Sequence, residues 1–417
     1  MITAIELLPE GKILASGIAT NAITLRDFGM IRYHANGNVD TSFGTNGKVK
    51  VDFNGGDDRT NAMAVLSDGK ILLAGGKSQG TWGTFGIAKF NSNGTLDTTF
   101  GTEGKVSTGF SEFSAVNCEA FCMSVLSDGK FLLAGVVNKA SWDFAIAKYN
   151  ADGSLDTTFG TGGKVVTDFN GQADYGLCMI VLEDGKILVG GSVYNAANTN
   201  SDFALARYNA NGTLDSTFGT NGKVTTDFPY SGNDGIESLA VLADGKIIAA
   251  GNASPYNGSF AIACYHANGA LDTTFGTNGQ VTTDFNPASL DAIVKIKVFP
   301  DGKILAGGYA NSGTNIDFAL ARYNADGSMD SRFGTGGKVT TDFATIDDRI
   351  VAVAIQPDGK IVAAGKSDTN FALARYMGDS KLISLQIGAL PKDQGGLSEY
   401  LLKWHYSPRR SCSSGMG

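Results

Sequence analysis

Aspartate recurs at one position of this 417-residue chain, ten residues before a turn of the form Asp-Gly-Lys. Carboxylates can coordinate a divalent cation such as calcium, or accept hydrogen bonds from the hydroxyl groups of a sugar. If the segments that carry them converge, they could form a ring at the mouth of a channel. The alternative is that each aspartate accepts hydrogen bonds from the backbone of its own loop, a local role that a repeat copies. The five aspartates are Asp58, Asp174, Asp234, Asp291 and Asp348, and Cys118 takes their place in one repeat.

Aromatic side chains lie among Asn, Ser, Thr and Gly in the variable segments that follow the turns. A sugar ring has an apolar face and a polar rim, so an aromatic platform with amides and hydroxyls beside it suits a carbohydrate ligand. Variable loops on a rigid scaffold are also where binding residues are usually found. The alternative is that the rings fold back over the edges of neighbouring strands. The residues concerned are Trp82, Trp142, Tyr194, Tyr256 and Tyr309.

Residues for nucleophilic catalysis are few. Of the three histidines, His34 and His266 replace an asparagine of the repeat and His405 lies near the C-terminus, so a serine hydrolase would need another base. We therefore favour a binding function, with a carbohydrate or a protein as the ligand. A hydrolase or lyase acting on an ester, lactone or glycan is the alternative, because one active site can be assembled from several repeats.

The composition argues against several classes of partner. The net charge is −8 and the repeats contain no cluster of Lys and Arg, which argues against nucleic acid. No apolar run approaches the roughly 20 residues that cross a bilayer, so we expect no membrane insertion. The five cysteines have no metal-ligand spacing, and we expect Cys122 and Cys178, at equivalent places in apolar strands, to be buried free thiols. The first residues already match a repeat strand, so we expect no signal peptide in this chain.

The elements that position these residues belong to seven repeats of near-constant length. Each repeat contains strand A before the turn, strand B after it, an alternating strand C such as Phe203–Tyr208, and a short strand D after a glycine. Strand B ends in a glycine, for example Gly251, where we expect backbone freedom to be needed. The pattern predicts an all-β fold, a seven-bladed β-propeller of four-stranded antiparallel blades. The repeats are marked by turns at 10–12, 68–70, 128–130, 184–186, 244–246, 301–303 and 358–360.

In such a propeller the D–A and B–C loops share one face around the central channel, and we expect the candidate ligand residues there. Other recurring charges are expected to be architectural, with the bases of strand C paired to neighbouring acids. These acids are the strand-D aspartates at 52, 168, 227, 284 and 342, and the aspartates at 40, 97, 156, 215, 272 and 330.

The seventh repeat lacks the sequence that leads to strand D in the others. The apolar run 382–390 is the candidate to complete that blade, so we predict a propeller over residues 1–390. Residues 391–417 are rich in Ser, Arg and Gly near their end, and we expect a flexible tail.

Several sequence blocks recur in order and resemble the bacterial delta-60 repeat. The blocks are Asp-Gly-Lys-Ile-Leu-Xaa-Ala-Gly-Gly, Asp-Phe-Ala-Leu-Ala-Arg-Tyr-Asn-Ala-Asn-Gly and Leu-Asp-Xaa-Thr-Phe-Gly-Xaa-Xaa-Gly-Lys-Val, and residues 301–343 show nearly the whole pattern. The strand layout is also similar to kelch-type propellers, and the resemblance covers about residues 1–377. It implies a binding or structural module of an exported or surface-attached bacterial protein, and it transfers no catalytic residues.

Overall fold

The computed structural model describes residues 2–378, except 21–25, 54, 80–81, 115–116, 196–199, 230–231, 254–257, 287–289, 312, 314, 344–346, 357 and 369. These residues form seven antiparallel sheets, six of four strands and a seventh of three. Apart from two 3-10 turns, Pro9–Gly11 and Ser111–Phe113, the described residues contain no helix. The prediction of an all-β, seven-bladed propeller is confirmed. The segment predicted to complete blade 7 (382–390) and the predicted tail lie outside the described residues.

Each blade uses its strands in chain order, from strand A to strand D. Blades 1 to 3 comprise β1 (Ile2–Leu7), β2 (Ile13–Thr20), β3 (Arg26–Tyr33), β4 (Lys48–Val51); β5 (Arg59–Val65), β6 (Ile71–Gln79), β7 (Trp82–Phe90), β8 (Lys105–Thr108); β9 (Asn117–Val125), β10 (Phe131–Asn138), β11 (Trp142–Tyr149) and β12 (Lys164–Thr167). Blades 4 and 5 comprise β13 (Asp174–Val181), β14 (Ile187–Asn195), β15 (Asn200–Tyr208), β16 (Lys223–Thr226); β17 (Gly235–Val241), β18 (Ile247–Ala253), β19 (Ser259–Tyr265) and β20 (Gln280–Thr283). Blades 6 and 7 comprise β21 (Ala292–Val298), β22 (Ile304–Asn311), β23 (Ile316–Tyr323), β24 (Lys338–Thr341); β25 (Asp348–Ile355), β26 (Ile361–Ser367) and β27 (Asn370–Tyr376).

The ring is closed through its innermost strands. Strand A of each blade contacts strand A of the next, from β1 through β5, β9, β13, β17 and β21 to β25, and β25 contacts β1. Between blades 7 and 1, apolar side chains of both sheets form one buried cluster that includes Val362, Leu373, Ile13 and Tyr33. Packing of sheet faces therefore joins the first blade to the last.

The core lies between the blades because strands B and C are covered on both faces. The cluster between blades 4 and 5, for example, joins Leu188 and Phe203 to Ile236 and Ala249. A strand buried on both faces reads as a continuous apolar run, which explains the sequence of strand B in every repeat.

The glycine near the end of strand B has a different role from the one expected. Strand A carries a β-bulge in each blade, and in blade 5 this bulge follows Ile236. The carbonyl oxygen of Gly235 then approaches strand B so closely that a Cβ on Gly251 would lie 1.9 Å from it. Gly251 is not among the glycines of positive φ. Close backbone approach, rather than backbone freedom, requires glycine here.

On the face opposite the D–A and B–C loops, recurring acids form ion pairs with lysine and arginine side chains, as we expected for charges with a structural role. Asp215 accepts a hydrogen bond from Arg207 Nε at 2.9 Å and lies 3.2 Å from Lys186 Nζ, the lysine of the turn. Arg207 also donates to the carbonyl oxygen of Ala267 in the next blade. The pairing of strand-C bases with acids is thus confirmed at this position, and similar pairs occur at Asp40, Asp156 and Asp330.

Candidate functional site

The D–A and B–C loops lie on one face of the ring, which we call the loop face. Asp174 at the start of β13 pairs with Val193 near the end of β14, and Phe203 near the start of β15 pairs with Thr226 at the end of β16. The two kinds of loop contact each other directly, because Asn170 Nδ2 donates to the carbonyl oxygen of Tyr194 at 3.1 Å. The candidate residues named from the sequence lie at the ends of strands on this face.

The five predicted aspartates are buried and hold the D–A loops. In each case the carboxylate accepts a hydrogen bond from the backbone N–H of a loop phenylalanine, at 2.6–3.1 Å. The ring of that phenylalanine packs edge-on against strand C, as Phe228 does on Phe203 with centroids 4.9 Å apart. The local capping role that we gave as the alternative is therefore present. The aspartates capped in this way are Asp58, Asp174, Asp234, Asp291 and Asp348.

Four of these aspartates also belong to clusters of three acids at the junctions between blades. Each acid cluster combines the aspartate where strand A begins with two acids of the preceding blade, one in strand C and one after strand D. One carboxylate oxygen of each residue lies within 4.8 Å of the others. The structure therefore places each of these four aspartates beside acids of the preceding blade, and not in a ring with the other predicted aspartates. The acid clusters are Asp27, Asp52 and Asp58; Asp143, Asp168 and Asp174; Asp202, Asp227 and Asp234; and Asp317, Asp342 and Asp348.

Sequence reasoning missed the strand-C member of these clusters. The aspartate of the Asp-Phe-Ala block was part of the repeat pattern, but nothing in the sequence showed that it meets acids of the D–A loop. The strand-D acids were assigned to the scaffold for the same reason. Residues far apart in the chain meet here because strand C begins where strand D ends.

The junctions differ in how the acidic charge is balanced. Between blades 1 and 2, Lys50 Nζ lies 2.6 Å from Asp27 Oδ2 and supplies a cation from the chain itself. Between blades 2 and 3 the three positions hold Thr84, Gly109 and Cys118, and the buried Cys118 thiol donates to the carbonyl oxygen of Gly83 at 3.4 Å. The junction where Cys118 replaces the recurring aspartate therefore has no acid at any of the three positions.

In the described part of the chain no base forms a salt bridge with the acid cluster between blades 3 and 4, although, against the larger effect of burial, Lys139 acts to lower the pKa of Asp143 and Lys223 that of Asp174. Asp174 is fully buried, its Oδ2 accepts the N–H of Phe169 at 2.6 Å, and its Oδ1 has no hydrogen-bond donor. The pKa of Asp174 is raised to about 7, mainly by burial and also by the neighbouring Asp168 and Asp143, while the hydrogen bond from the Phe169 N–H and the charge of Lys223 act in the opposite direction. Burial also raises the pKa of Asp143. Lys223 Nζ, the nearby base, donates to the backbone carbonyl of Asp168 instead of a carboxylate.

Among the predicted aromatic residues, Trp142 and Tyr309 contact side chains of the next blade. Trp142 stacks on Tyr175 with ring centroids 6.3 Å apart and an interplanar angle of 28°. Tyr175, which sequence reasoning missed, is 37% exposed. Tyr309 is covered by Arg349, whose Cζ lies 4.6 Å from the ring centroid. Tyr194 is half-buried at the end of β14.

The other two predicted rings are less informative. The structure places the backbone of Trp82 at the start of β7, opposite Gln79, and Tyr256 lies outside the described residues. The Trp142–Tyr175 pair is therefore the aromatic platform that the described part of the loop face presents. In sequence, Trp142 directly precedes Asp143 and Tyr175 directly follows Asp174, two members of one acid cluster.

The bulge of strand A in blade 5 presents a further acid that sequence reasoning did not single out. Glu237 is the extra residue of this bulge, between Ile236 and Ser238. Burial raises its pKa to about 7, and Lys295 in the next blade lowers it. Bulges often re-aim a side chain at functional sites.

The chain was compared with known proteins. The family model described as "Domain of unknown function (DUF5122) beta-propeller" matches residues 8–43, 66–100, 126–159, 182–218, 242–275, 300–333 and 356–382, together more than half of the chain. A comparison with curated proteins finds no match. No helix of the described residues is long and apolar enough to cross a membrane.

Solved structures show the same type of fold at low sequence identity. A protein from Lactobacillus plantarum is 12% identical, with a TM-score of 0.51 over 91% of this chain and 96% of that one. The polysaccharide lyase Uly1 is 12% identical with a TM-score of 0.49, covering 91% and 88%. Sqt1 from Chaetomium thermophilum is 13% identical with a TM-score of 0.48, covering 92% and 83%. At such identities a match is informative about the fold alone, and only the first of the three reaches a TM-score above 0.5.

Proposed function

This chain belongs to the DUF5122 β-propeller family, and from that premise we propose that it is a ligand-binding propeller whose loop face recognises a carbohydrate. A protein ligand is the other outcome that a binding test can give. The resemblance to the bacterial delta-60 repeat supports an exported or surface-attached bacterial protein, and that location is part of the proposal.

The observation that carries the proposal is the aromatic pair Trp142–Tyr175. Tyr175 is 37% exposed, so the pair offers an apolar surface to solvent on the loop face. Asp143 and Asp174 adjoin the pair in sequence, and Asp168 of the same cluster is exposed. A flat apolar surface beside the exposed carboxylate of Asp168 matches a sugar, which stacks through its C–H face and donates from its hydroxyl groups.

The test is a glycan array with the full chain, followed by calorimetry on the oligosaccharides that bind. Tyr175→Ala should raise the Kd about tenfold, which corresponds to about 1.4 kcal/mol. Val125→Ala is the matched control, because Val125 is also an exposed apolar residue but ends strand A on the opposite face. Unchanged affinity of Tyr175→Ala, or an array without any binding, would contradict the proposal.

A second candidate function is a hydrolase or lyase, and Glu237 is the observation that favours it. A carboxyl group with a pKa of about 7 can donate or accept a proton near neutral pH, as a general acid or base must. A screen of ester, lactone and glycan substrates tests this function. Turnover that Glu237→Gln abolishes would establish it, and a screen without turnover would leave the binding function.

A further inference from the structure

We propose that the acid cluster of Asp143, Asp168 and Asp174 binds a calcium ion that joins blade 3 to blade 4. Asp143 and Asp168 belong to blade 3, and Asp174 begins blade 4. The proposal goes beyond carbohydrate binding and does not rest on it.

The distances within this cluster suit calcium. Calcium binds oxygen ligands at about 2.3–2.6 Å, so two ligands on opposite sides of one ion are about 4.8 Å apart. The three carboxylate oxygens lie within 4.8 Å of one another. Magnesium requires about 2.0–2.1 Å and near-ideal octahedral geometry and is usually held by only one or two carboxylates, so a site of three carboxylates favours calcium. Because Asp168 is exposed, water can supply the remaining ligands.

Each carboxylate is held by a donor of its own loop. Asp143 Oδ1 accepts from Ser141 Oγ at 3.0 Å, and Asp168 Oδ1 accepts from the backbone N–H groups of Asn170 and Gly171. Asp174 Oδ2 accepts from Phe169. One oxygen of each residue is thereby oriented, and the other is left for a ligand, as in the outer shell of metal sites.

An independent observation is the buried Asp174 Oδ1, which has no donor. At equivalent positions, Asp58 Oδ1 accepts from the N–H of Ser78 at 3.3 Å and Asp291 Oδ1 from that of Asn311 at 3.2 Å. The corresponding N–H in blade 4, that of Tyr194, donates to the carbonyl oxygen of Ala173 instead. A buried carboxylate oxygen without a partner costs free energy, and a cation removes that cost.

At the junction between blades 1 and 2, a lysine of the chain balances the charge of the corresponding acid cluster. There Lys50 contacts Asp27 of the corresponding cluster. In blade 3 the residue equivalent to Lys50 is Val166, which pairs with Ala145 as Lys50 pairs with Gly29. The cluster at blades 3 and 4 therefore keeps the three acids but not the lysine that balances them.

Terbium(III), a luminescent substitute for calcium, tests the site on the chelator-treated full chain. Trp142 should sensitise its emission, calcium should displace it, and calcium should raise the Tm by about 2 °C or more. A Kd of about 10⁻⁴–10⁻³ M is expected for calcium, typical of extracellular modules. Asp174→Asn should reduce the sensitised emission at least about tenfold, and Asp244→Asn, an exposed turn acid on the opposite face, should not.

If Asp174→Asn does not fold, Asp168→Asn at the exposed position provides the same test. Absence of sensitised emission, equal emission from the wild type and both variants, or an equal Tm shift with magnesium would overturn the calcium site. None of these measurements uses a sugar, so their failure leaves the carbohydrate proposal standing.

Discussion

In blades 4, 5 and 6 a tyrosine at the end of strand C joins the blade to the one before it through a side-chain hydrogen bond. Tyr265 at the end of strand C in blade 5 donates to Thr226 Oγ1 of blade 4 at 2.8 Å, and both residues are buried. The same bond joins Tyr208 to Thr167 and Tyr323 to Thr283. A buried hydroxyl that loses its partner keeps the full cost of its desolvation.

Tyr265→Phe should therefore lower the free energy of unfolding by about 1–2 kcal/mol, because it leaves Thr226 without its donor. Urea denaturation of the full chain measures the change. Tyr175→Phe is the control, since its hydroxyl belongs to an exposed residue. Equal stability of Tyr265→Phe and the wild type would show that this bond does not hold the blades together.

Lys50 provides a second prediction at this scale. Lys50→Gln removes the base beside the buried Asp27, so the Tm measured in EDTA should fall. The loss should correspond to about 1 kcal/mol of unfolding free energy, because Lys50 is partly exposed and solvent screens its ion pair. Calcium should then restore stability at this junction, as we propose for blades 3 and 4. Lys48→Gln, an exposed position in the same strand, is the control. A calcium-independent Tm in Lys50→Gln would speak against the cation requirement of these clusters.

At the scale of the element, the bulge of strand A determines which residue strand B can accept. Gly251→Ala would place its Cβ 1.9 Å from the carbonyl oxygen of Gly235, a backbone atom that cannot move without breaking the register. The free energy of unfolding should fall by more than about 2 kcal/mol. Gly235→Ala on the neighbouring strand is the matched control, because its Cβ would meet nothing closer than 3.7 Å. Similar losses in both variants would show that the bulge is not the cause.

At the scale of the whole molecule, the charges on the two faces predict how stability depends on pH. The Lys70 hydrogen bond, followed by that of Thr99, lowers the pKa of Asp97 to about 2, and the hydrogen bonds of Thr274 and then Lys246 do the same for Asp272. An unfolded Asp has a pKa near 3.9. The stabilisation by these acids is complete above about pH 4 and should be lost as the pH falls towards 2.

Glu237 has the opposite effect, because burial raises its pKa to about 7. Between about pH 4 and 7 the folded state holds a proton that the unfolded state has lost, so stability should decline as the pH rises through this range. Chemical denaturation in EDTA over pH 2–9 should therefore show a maximum at mildly acidic pH. Glu237→Gln should reduce the decline towards pH 7, to which Asp174 also contributes, and leave the acid limb unchanged. An unaltered profile in that variant would contradict the assignment.

The amino-acid sequence alone determined the repeat, the strand order and the number of blades. Turn residues such as Gly245 and the continuous apolar run of β18 are local properties, and each is written into every repeat. The position of the D–A and B–C loops on one face followed from the strand order, and so did the place of the five predicted aspartates.

Only the tertiary structure decided what those aspartates contact. Asp143, Asp168 and Asp174 meet because one strand begins where another ends and the next blade starts, and no spacing along the chain encodes that meeting. The stacking of Trp142 on Tyr175 and the balancing of Asp27 by Lys50 are likewise contacts across strands and blades. Period and propensity are set by neighbouring residues, whereas charge balance and burial depend on which distant residues the fold brings together.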